Sequence, residues 1–159
     1  MSRIFLSALL ALSACAPTEA SIPVSSPGDE TKSLSQENNF AAQYGGKTVL
    51  YYEYSHGNQI EYYDTRGASY LWYPGNRSVV AGEWRAEGAS VCFRPGENTY
   101  NPVTREHGRS WHCSSFSDLT GDIVDSVTGD LFNLVSGEIP YNLPAHPKFR
   151  ALSEVNATP

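Results

Sequence analysis

The chain has 159 residues, with 17 acidic side chains against 11 lysines and arginines, and a formal net charge of −6 at pH 7. This acidic balance argues against nucleic acid as a partner, because that affinity is built from lysine and arginine on phosphate groups. It also argues against attachment to anionic lipid by charge alone. The sequence lacks a phosphate loop, a dinucleotide fingerprint and a haem attachment motif, so we expect no cofactor.

The first fifteen residues, MSRIFLSALLALSAC, have the features of an export signal. The apolar run from Ile4 to Leu12 is too short for a transmembrane helix of about 20 residues, but it fits the hydrophobic region of a signal peptide. The last four residues, Leu12-Ser13-Ala14-Cys15, resemble the lipobox of bacterial lipoproteins. The resemblance implies cleavage before Cys15 and lipidation of its thiol.

The same resemblance implies a location in the bacterial cell envelope. Residues 1–14 would be removed as a signal peptide, and acyl chains on Cys15 would hold the protein on the membrane, since two chains hold where one does not. Ala16, not Asp, follows the cysteine, which in such lipoproteins favours the outer membrane, facing the periplasm. The alternative is an ordinary signal peptide, cut near Ala14, Ala16 or Ala20, which would release a soluble protein.

The rest of the chain divides into three zones. Residues 15–43 are rich in Ser, Pro, Glu, Thr and Asn, cannot bury enough apolar surface to order themselves, and are predicted to be a flexible tether. An arm that packs on the domain near Phe40 and Tyr44 is the alternative. Residues 44–141 are predicted to form one β domain. Residues 142–159 are predicted to be a flexible tail.

Short segments rich in Tyr, Trp, Val and Phe, separated by Gly, Pro and Asn, fill the domain. This pattern is typical of antiparallel strands. It predicts an all-β fold, a small antiparallel meander that closes into a barrel or a sandwich. The predicted strand segments are KTVLYYEYS, QIEYYD, SYLWY, SVVAGEWRA, ASVCFR and SWHCSSF.

Residues 118–135 fit either a helix or strands. Gly121 and Gly129 weaken a helix, so we predict two strands, 122–127 and 131–135, joined by a turn. The aspartates of this segment are expected to stabilise turns. A calcium site is disfavoured, because the spacing of an EF-hand is absent.

Two cysteines, Cys92 and Cys113, remain once Cys15 is lipidated. Outside the cytosol such a pair is expected to form a disulfide. A zinc site built from these cysteines with His107 and His112 is disfavoured, because His112 and Cys113 would point to opposite faces of one strand. We therefore expect no metal site.

No catalytic residue is predicted. A cysteine nucleophile needs a free thiolate, which a disulfide would remove, and no Gly-x-Ser-x-Gly elbow occurs. The carboxylate pairs Glu53 with Glu61 and Glu83 with Glu87 would need a set separation in a cleft, and exposed strand surface explains them more simply. His56 and His146 are expected to be solvated.

The loop between the two cysteines carries the candidate binding surface: Arg94, Asn98, Tyr100, Asn101, Arg105 and Arg109. Such residues are typical of the polar rim of an interface. Most of the 10 tyrosines and 3 tryptophans are expected in the core. A smaller set could instead form an outward stacking surface for glycan or protein: Tyr51, Tyr63, Tyr73 and Tyr100.

The segments YLWYPGN, GEWR, VCFRPGENTYNP and GDLFNL are similar to those of small exported bacterial β-proteins with one disulfide, a resemblance that implies no activity. We therefore expect a lipid-anchored, non-catalytic binding or structural module, with an envelope protein or a glycan as partner. One alternative is an inhibitor of an envelope lysozyme or protease that uses the 95–109 loop, since a stapled loop loses less entropy on binding. Another is a hydrolase with an unrecognised carboxylate pair.

Overall fold

The computed structural model describes residues 40–97, 99–101 and 106–156, without the side chains of residues 101, 106 and 156. A short helix, α1, covers residues 40–44. The later elements are β1 (Lys47–Glu53), β2 (Gly57–Tyr63), β3 (Ala68–Trp72), β4 (Val80–Glu87), β5 (Ser90–Pro95), β6 (Tyr100–Asn101), β7 (Glu106–His107), β8 (His112–Ser115), α2 (Phe116–Gly121), β9 (Ile123–Thr128), a 3-10 turn (Leu134–Ser136) and α3 (Leu152–Asn156).

Seven of these strands form an antiparallel sheet that curls into a half-barrel, in the order β8-β5-β4-β3-β2-β1-β9. Strands β1 to β5 follow one another as a meander, because each turn between them is short enough to return the chain beside itself. The predicted all-β meander with one disulfide is confirmed. β6 and β7 pair with each other in a separate two-stranded ribbon.

Both faces of the sheet carry a hydrophobic layer, because consecutive strand residues point to opposite sides. On one face, which we call the α1 face, Phe40 and Tyr44 of α1 pack with Val49, Tyr63 and Trp84. On the other, which we call the C-terminal face, Leu50, Ile60 and Trp72 pack with residues from the end of the chain. β1 is therefore apolar on both sides, as its sequence TVLYY requires.

The prediction of a flexible tail after Tyr141 is wrong for residues 142–156. Leu143, Leu152 and Val155 are buried in the layer on the C-terminal face. The physical reason is the curl of the sheet, which leaves Leu50, Ile60 and Trp72 needing a cover that this segment supplies. At the other boundary, Phe40 was placed in the tether but is fully buried, as the alternative of a packed arm requires.

The predicted second strand at 131–135 is also wrong, whereas the first is present as β9. After β9 the chain turns at Gly129 and forms the 3-10 turn instead. Asp130 directs this change, since its carboxylate accepts hydrogen bonds from the backbone of Leu134 (2.8 Å) and Val135 (2.9 Å). Such capping competes with strand pairing, and it is the turn chemistry expected for these aspartates.

Among the residues that the structure describes, no helix has the length and apolar character needed to cross a membrane.

Candidate functional site

The predicted disulfide joins Cys92 on β5 to Cys113 on β8, with an S–S distance of 2.01 Å. The two residues are direct cross-strand partners. The bridge closes the chain around the loop between β5 and β8 and stabilises the fold by roughly 3 kcal/mol in the chain-entropy description. Glu87 lies beside both sulfurs, but a disulfide sulfur is no thiolate and so offers this cluster no metal ligand.

An arginine–tryptophan stack lies next to the bridge, where the C-terminal face is open to solvent. The Cζ atoms of Arg85 and Arg94 lie 3.9 Å and 4.8 Å from the ring centre of Trp111. Alternation along the strands places these side chains together, since Arg85 pairs with Cys92 and Arg94 lies two residues further along β5. The planar guanidinium of arginine is suited to such stacking.

Each arginine of the stack is also held by a carboxylate. Arg94 Nη2 lies 2.5 Å from Glu83 Oε2, and Arg85 Nη2 lies 2.6 Å from Glu87 Oε1. All four side chains are between 39% and 55% exposed, so these ion pairs contribute little to stability. Each pair nevertheless places a carboxylate beside a guanidinium group that contacts Trp111.

A shallow cleft of about 450 Å³ adjoins the stack at the end of β5. It is lined by residues of β4, β5 and the following loop: Ala81, Gly82, Glu83, Arg94, Pro95, Gly96, Glu97 and Arg109. Arg109 Nη2 lies 3.0 Å from Glu97 Oε2, so two arginine–carboxylate pairs border the cleft. Its charge is mixed, which suits a polar partner surface with both signs of charge.

The backbone around the cleft is pinned by hydrogen bonds to the sheet. Gly96 N–H donates to Ala81 O on β4 (2.9 Å) and Arg109 N–H donates to Pro95 O on β5 (3.3 Å). Arg109 has a φ of 114°, a region that non-glycine residues rarely adopt and that tends to occur at functional sites. The backbone of Arg109 is therefore held at the rim of the cleft, and its side chain is 70% exposed.

The structure brings together part of the predicted binding surface. Arg94 and Arg109 line the cleft, and Tyr100 on β6 is half exposed and packs against His107, with ring centres 5.1 Å apart. Asn98 and Arg105 lie outside the described residues, and of Asn101 only the backbone is described.

Trp111 and Arg85 were missed by the sequence analysis, although a signal for them was present. Trp111 is two residues before Cys113, so a disulfide-paired strand places it on the same face as the bridge. Arg85 occurs in the predicted strand SVVAGEWRA, and only the register shows that it lies opposite Cys92.

The outward stacking surface predicted from four tyrosines is wrong for two of them, because Tyr51 and Tyr63 are buried in the core. They form a polar chain inside the α1 face. Tyr51 and Tyr63 share a hydrogen bond of 2.7 Å between their hydroxyls, and Tyr63 donates to Glu61 Oε2 at 2.8 Å. Burial raises the pKa of Glu61 to about 7, while hydrogen bonds from Tyr63 and Ser69 act in the opposite direction.

The carboxylate pairs considered for glycoside chemistry do not converge. Glu61 pairs with Val49 across the strands whereas Glu53 pairs with Gly57, so the two lie four positions apart, about 13 Å along the strand. Glu83 and Glu87 are separated by the same number of positions on β4, and each pairs with an arginine. Glycosidase carboxylates lie about 5 to 9.5 Å apart.

Comparison with known proteins gives no match: no family model, no curated protein and no solved structure is similar to this chain.

Proposed function

We propose that the protein is a bacterial lipoprotein whose β domain acts as a non-catalytic binding module in the cell envelope. Its partner is another envelope protein, which docks on the arginine–tryptophan stack and the adjoining cleft. The observation that carries the proposal is the stack itself, in which Arg85 and Arg94 flank Trp111 on an open part of the sheet.

Tryptophan, arginine and tyrosine are the residues that most often dominate the affinity of protein interfaces. Here Trp111 and two arginines lie together, with Tyr100 exposed on the neighbouring ribbon. The ion pairs already restrict both arginines, so less side-chain entropy is lost when a partner binds. Because those pairs are exposed and weak, they can exchange for carboxylates of the partner.

The disulfide supports this role by its position. It ties β8 to β5 on the same face as the stack and next to it, so the edge strand that follows Trp111 is held to the sheet. A surface that is ordered before binding loses less entropy when the partner binds, and this favours affinity at a small interface.

A photo-crosslinking residue at the exposed position Ser110 tests the proposal in intact cells. We expect a discrete adduct with one envelope protein, and we expect Trp111→Ala to abolish it, since loss of a central aromatic anchor costs about 2 kcal/mol or more, roughly 30-fold in Kd.

Tyr54→Ala is the matched control, because Tyr54 is an exposed aromatic residue on a different hairpin. This variant should leave the adduct unchanged. An adduct that persists in Trp111→Ala at the same level, or the lack of any adduct from position 110, would contradict the proposed docking surface.

A further inference from the structure

A second group of aromatic and basic side chains lies at the tip of the β1–β2 hairpin, away from the stack and the cleft. Tyr52 lies near the end of β1 and Tyr54 in the turn that follows it, and His146 and Lys148 come from the loop at residues 144–149. The ring centres of Tyr54 and His146 are 5.2 Å apart, and those of Tyr52 and His146 are 6.0 Å apart. We call these four residues the hairpin cluster.

The loop that carries His146 is fixed by one buried side chain. Asn58 is fully buried, and its amide nitrogen donates to the carbonyls of Pro144 (2.9 Å), Ala145 (3.1 Å) and Pro147 (2.9 Å). Its oxygen accepts from the backbone N–H of Phe149 at 3.0 Å. A buried amide is costly unless it is hydrogen-bonded, and here all of its bonds serve to shape this loop.

The hairpin is shaped to receive the same loop. Gly57 has a φ of +77°, and a Cβ atom at this position would lie 2.7 Å from Ala145 Cα. The backbone N–H of Asn58 donates to Ala145 O at 3.2 Å. The loop and the hairpin therefore form one rigid unit, and His146 is presented at its surface rather than on a mobile tail.

Tyr54, His146 and Lys148 have exposed side chains and Tyr52 is half-buried, although the backbone of the unit is fixed. Tyr54 is 78% exposed, so it contributes little to the core. Tyr52 and His146 Nδ1 share a hydrogen bond of 3.1 Å, and Lys148 Nζ lies 5.4 Å from the Tyr52 ring. The cluster thus combines an open aromatic face with hydroxyl, imidazole and ammonium groups at its edge.

The charge of the cluster is positive at Lys148. Within the described part of the chain, Lys148 makes no ion pair. The neighbouring carboxylate of Glu53 is engaged in its own turn, where Ser55 and the backbone of His56 donate to it. Hydrogen bonding by Ser55 holds the pKa of Glu53 below its usual range. Glu53 is therefore an ionised carboxylate that already has partners in its own turn, and Lys148 is the cationic group that a ligand carboxylate would meet.

We propose that the hairpin cluster is a binding site for a saccharide that carries a carboxylate. The C–H face of a sugar ring packs on Tyr54, because an aromatic ring offers a rigid apolar surface at low entropic cost. Its hydroxyls exchange hydrogen bonds with Tyr52 and His146 at the rim. Its carboxylate pairs with Lys148, whose ammonium is a flexible point charge. This site does not depend on the protein partner proposed above.

Calorimetric titration of the full mature protein in detergent, with a galacturonic acid trimer and its methyl ester as probes, tests the proposal. We expect the acid to bind with a Kd near 1 mM, the weak end of specific binding, and the uncharged ester to bind about fivefold or more weakly.

Two exposed substitutions separate the parts of the site. Tyr54→Ala should weaken binding of both probes at least tenfold, whereas Lys148→Gln should weaken only the acid, to the level of the ester. Val135→Ala, an exposed apolar residue on the 3-10 turn that belongs to neither proposed surface, is the control and should bind like the unchanged protein. No heat of binding up to about 10 mM acid, roughly ten times the expected Kd, would overturn the site, as would unchanged binding in Tyr54→Ala or equal binding of acid and ester.

Discussion

The pKa of Glu61 depends on the residues that cover it. It lies on β2, nearly shielded from solvent, with Tyr63 and Ser69 as hydrogen-bond donors. Burial disfavours a charged carboxylate, and this raises its pKa to about 7. The carboxyl group of Glu61 therefore keeps its proton up to a pH of about 7 in the folded protein. The stability of the fold should depend on pH as a result.

We expect the free energy of unfolding to fall as the pH rises from 4.5 to 7. Over this range the unfolded chain has already lost the proton of Glu61 whereas the native state still holds it, so rising pH favours unfolding. The decrease attributable to Glu61 should approach roughly 3 kcal/mol, and it should level off above pH 7. Urea denaturation at a series of pH values measures it.

Glu61→Gln is the control for this prediction, because it removes the titration and keeps the shape. Its stability should lack the decrease that the unchanged protein shows between pH 4.5 and 7. Glu53 and Asp64 have lowered pKa values, held down by Ser55 and Arg66 respectively, so their contribution is lost only as the pH falls below their ordinary values. A slope that is equal in both proteins would show that Glu61 is not its source.

The alternation of side chains along a strand determines which residues share a face, but not which face is covered. In β1 and β2, Leu50 pairs with Ile60 and Val49 pairs with Glu61. Both faces are buried, however, because α1 covers one and the end of the chain covers the other. A local pattern contains no information on such distant packing, and this is why Glu61 was assigned to the surface.

At the scale of elements, the strands were predictable and the covering segments were not. Each strand between residues 47 and 95 has aromatic or β-branched residues and is bounded by a turn, so local chemistry is sufficient. The segment 142–156 has scattered apolar residues without the period of a helix or strand, and its place is set by contacts with Asn58 and the sheet. The arginine–tryptophan stack was missed for the same reason, since it joins β4, β5 and the residue before β8.

A chain that ends at Asn142 should therefore lose cooperative unfolding. The deletion uncovers the C-terminal face and removes Leu143, Leu152 and Val155. Burial of such a side chain contributes about 1.5 to 3 kcal/mol, so their sum is comparable with the total stability of a small domain, about 5 to 15 kcal/mol. Thermal unfolding followed by circular dichroism measures the effect.

Point substitutions in α3 give a finer version of that measurement. Leu152→Ala should cost about 2 to 5 kcal/mol, the usual range for a buried leucine, whereas Ser153→Ala, at an exposed neighbour, should leave the melting temperature unchanged. A truncated protein that melts like the full chain would show that residues 143–156 do not belong to the core.

At the scale of the whole molecule, the two proposed binding surfaces lie at the same end of the sheet. The β1–β2 hairpin tip follows the cross-strand pair Tyr52 and Asn58, and the cleft lies at the cross-strand pair Gly82 and Pro95. Because the strands are antiparallel, the end of β1, the start of β4 and the end of β5 lie at the same end of the sheet. The chain enters β1 at Lys47, which pairs with Tyr63 at the opposite end. Both surfaces therefore lie at the end of the sheet opposite to the start of β1.

We expect the protein to fractionate with membranes and Cys15→Ser to fractionate with soluble proteins, because acyl chains on the cysteine would supply the whole membrane affinity. Mass spectrometry of the N-terminal peptide measures the lipid directly. The double substitution Cys92→Ala with Cys113→Ala is the control, since it removes the disulfide and should remain on the membrane. Cys15→Ser found in the membrane fraction would contradict the proposed anchor.

The burial of Phe40 has a mechanical consequence. Its ring lies 5.0 to 5.9 Å from those of Tyr44, Tyr63, Trp84 and Phe116, at the point where the chain enters the domain. A pull on the preceding residues would act first on this ring and on α1, before it reached the hydrogen bonds of β1. We therefore expect a force on this end of the chain to displace Phe40 and α1 from the sheet before it breaks the strand pairing of β1. The opposite end of the sheet would keep its structure.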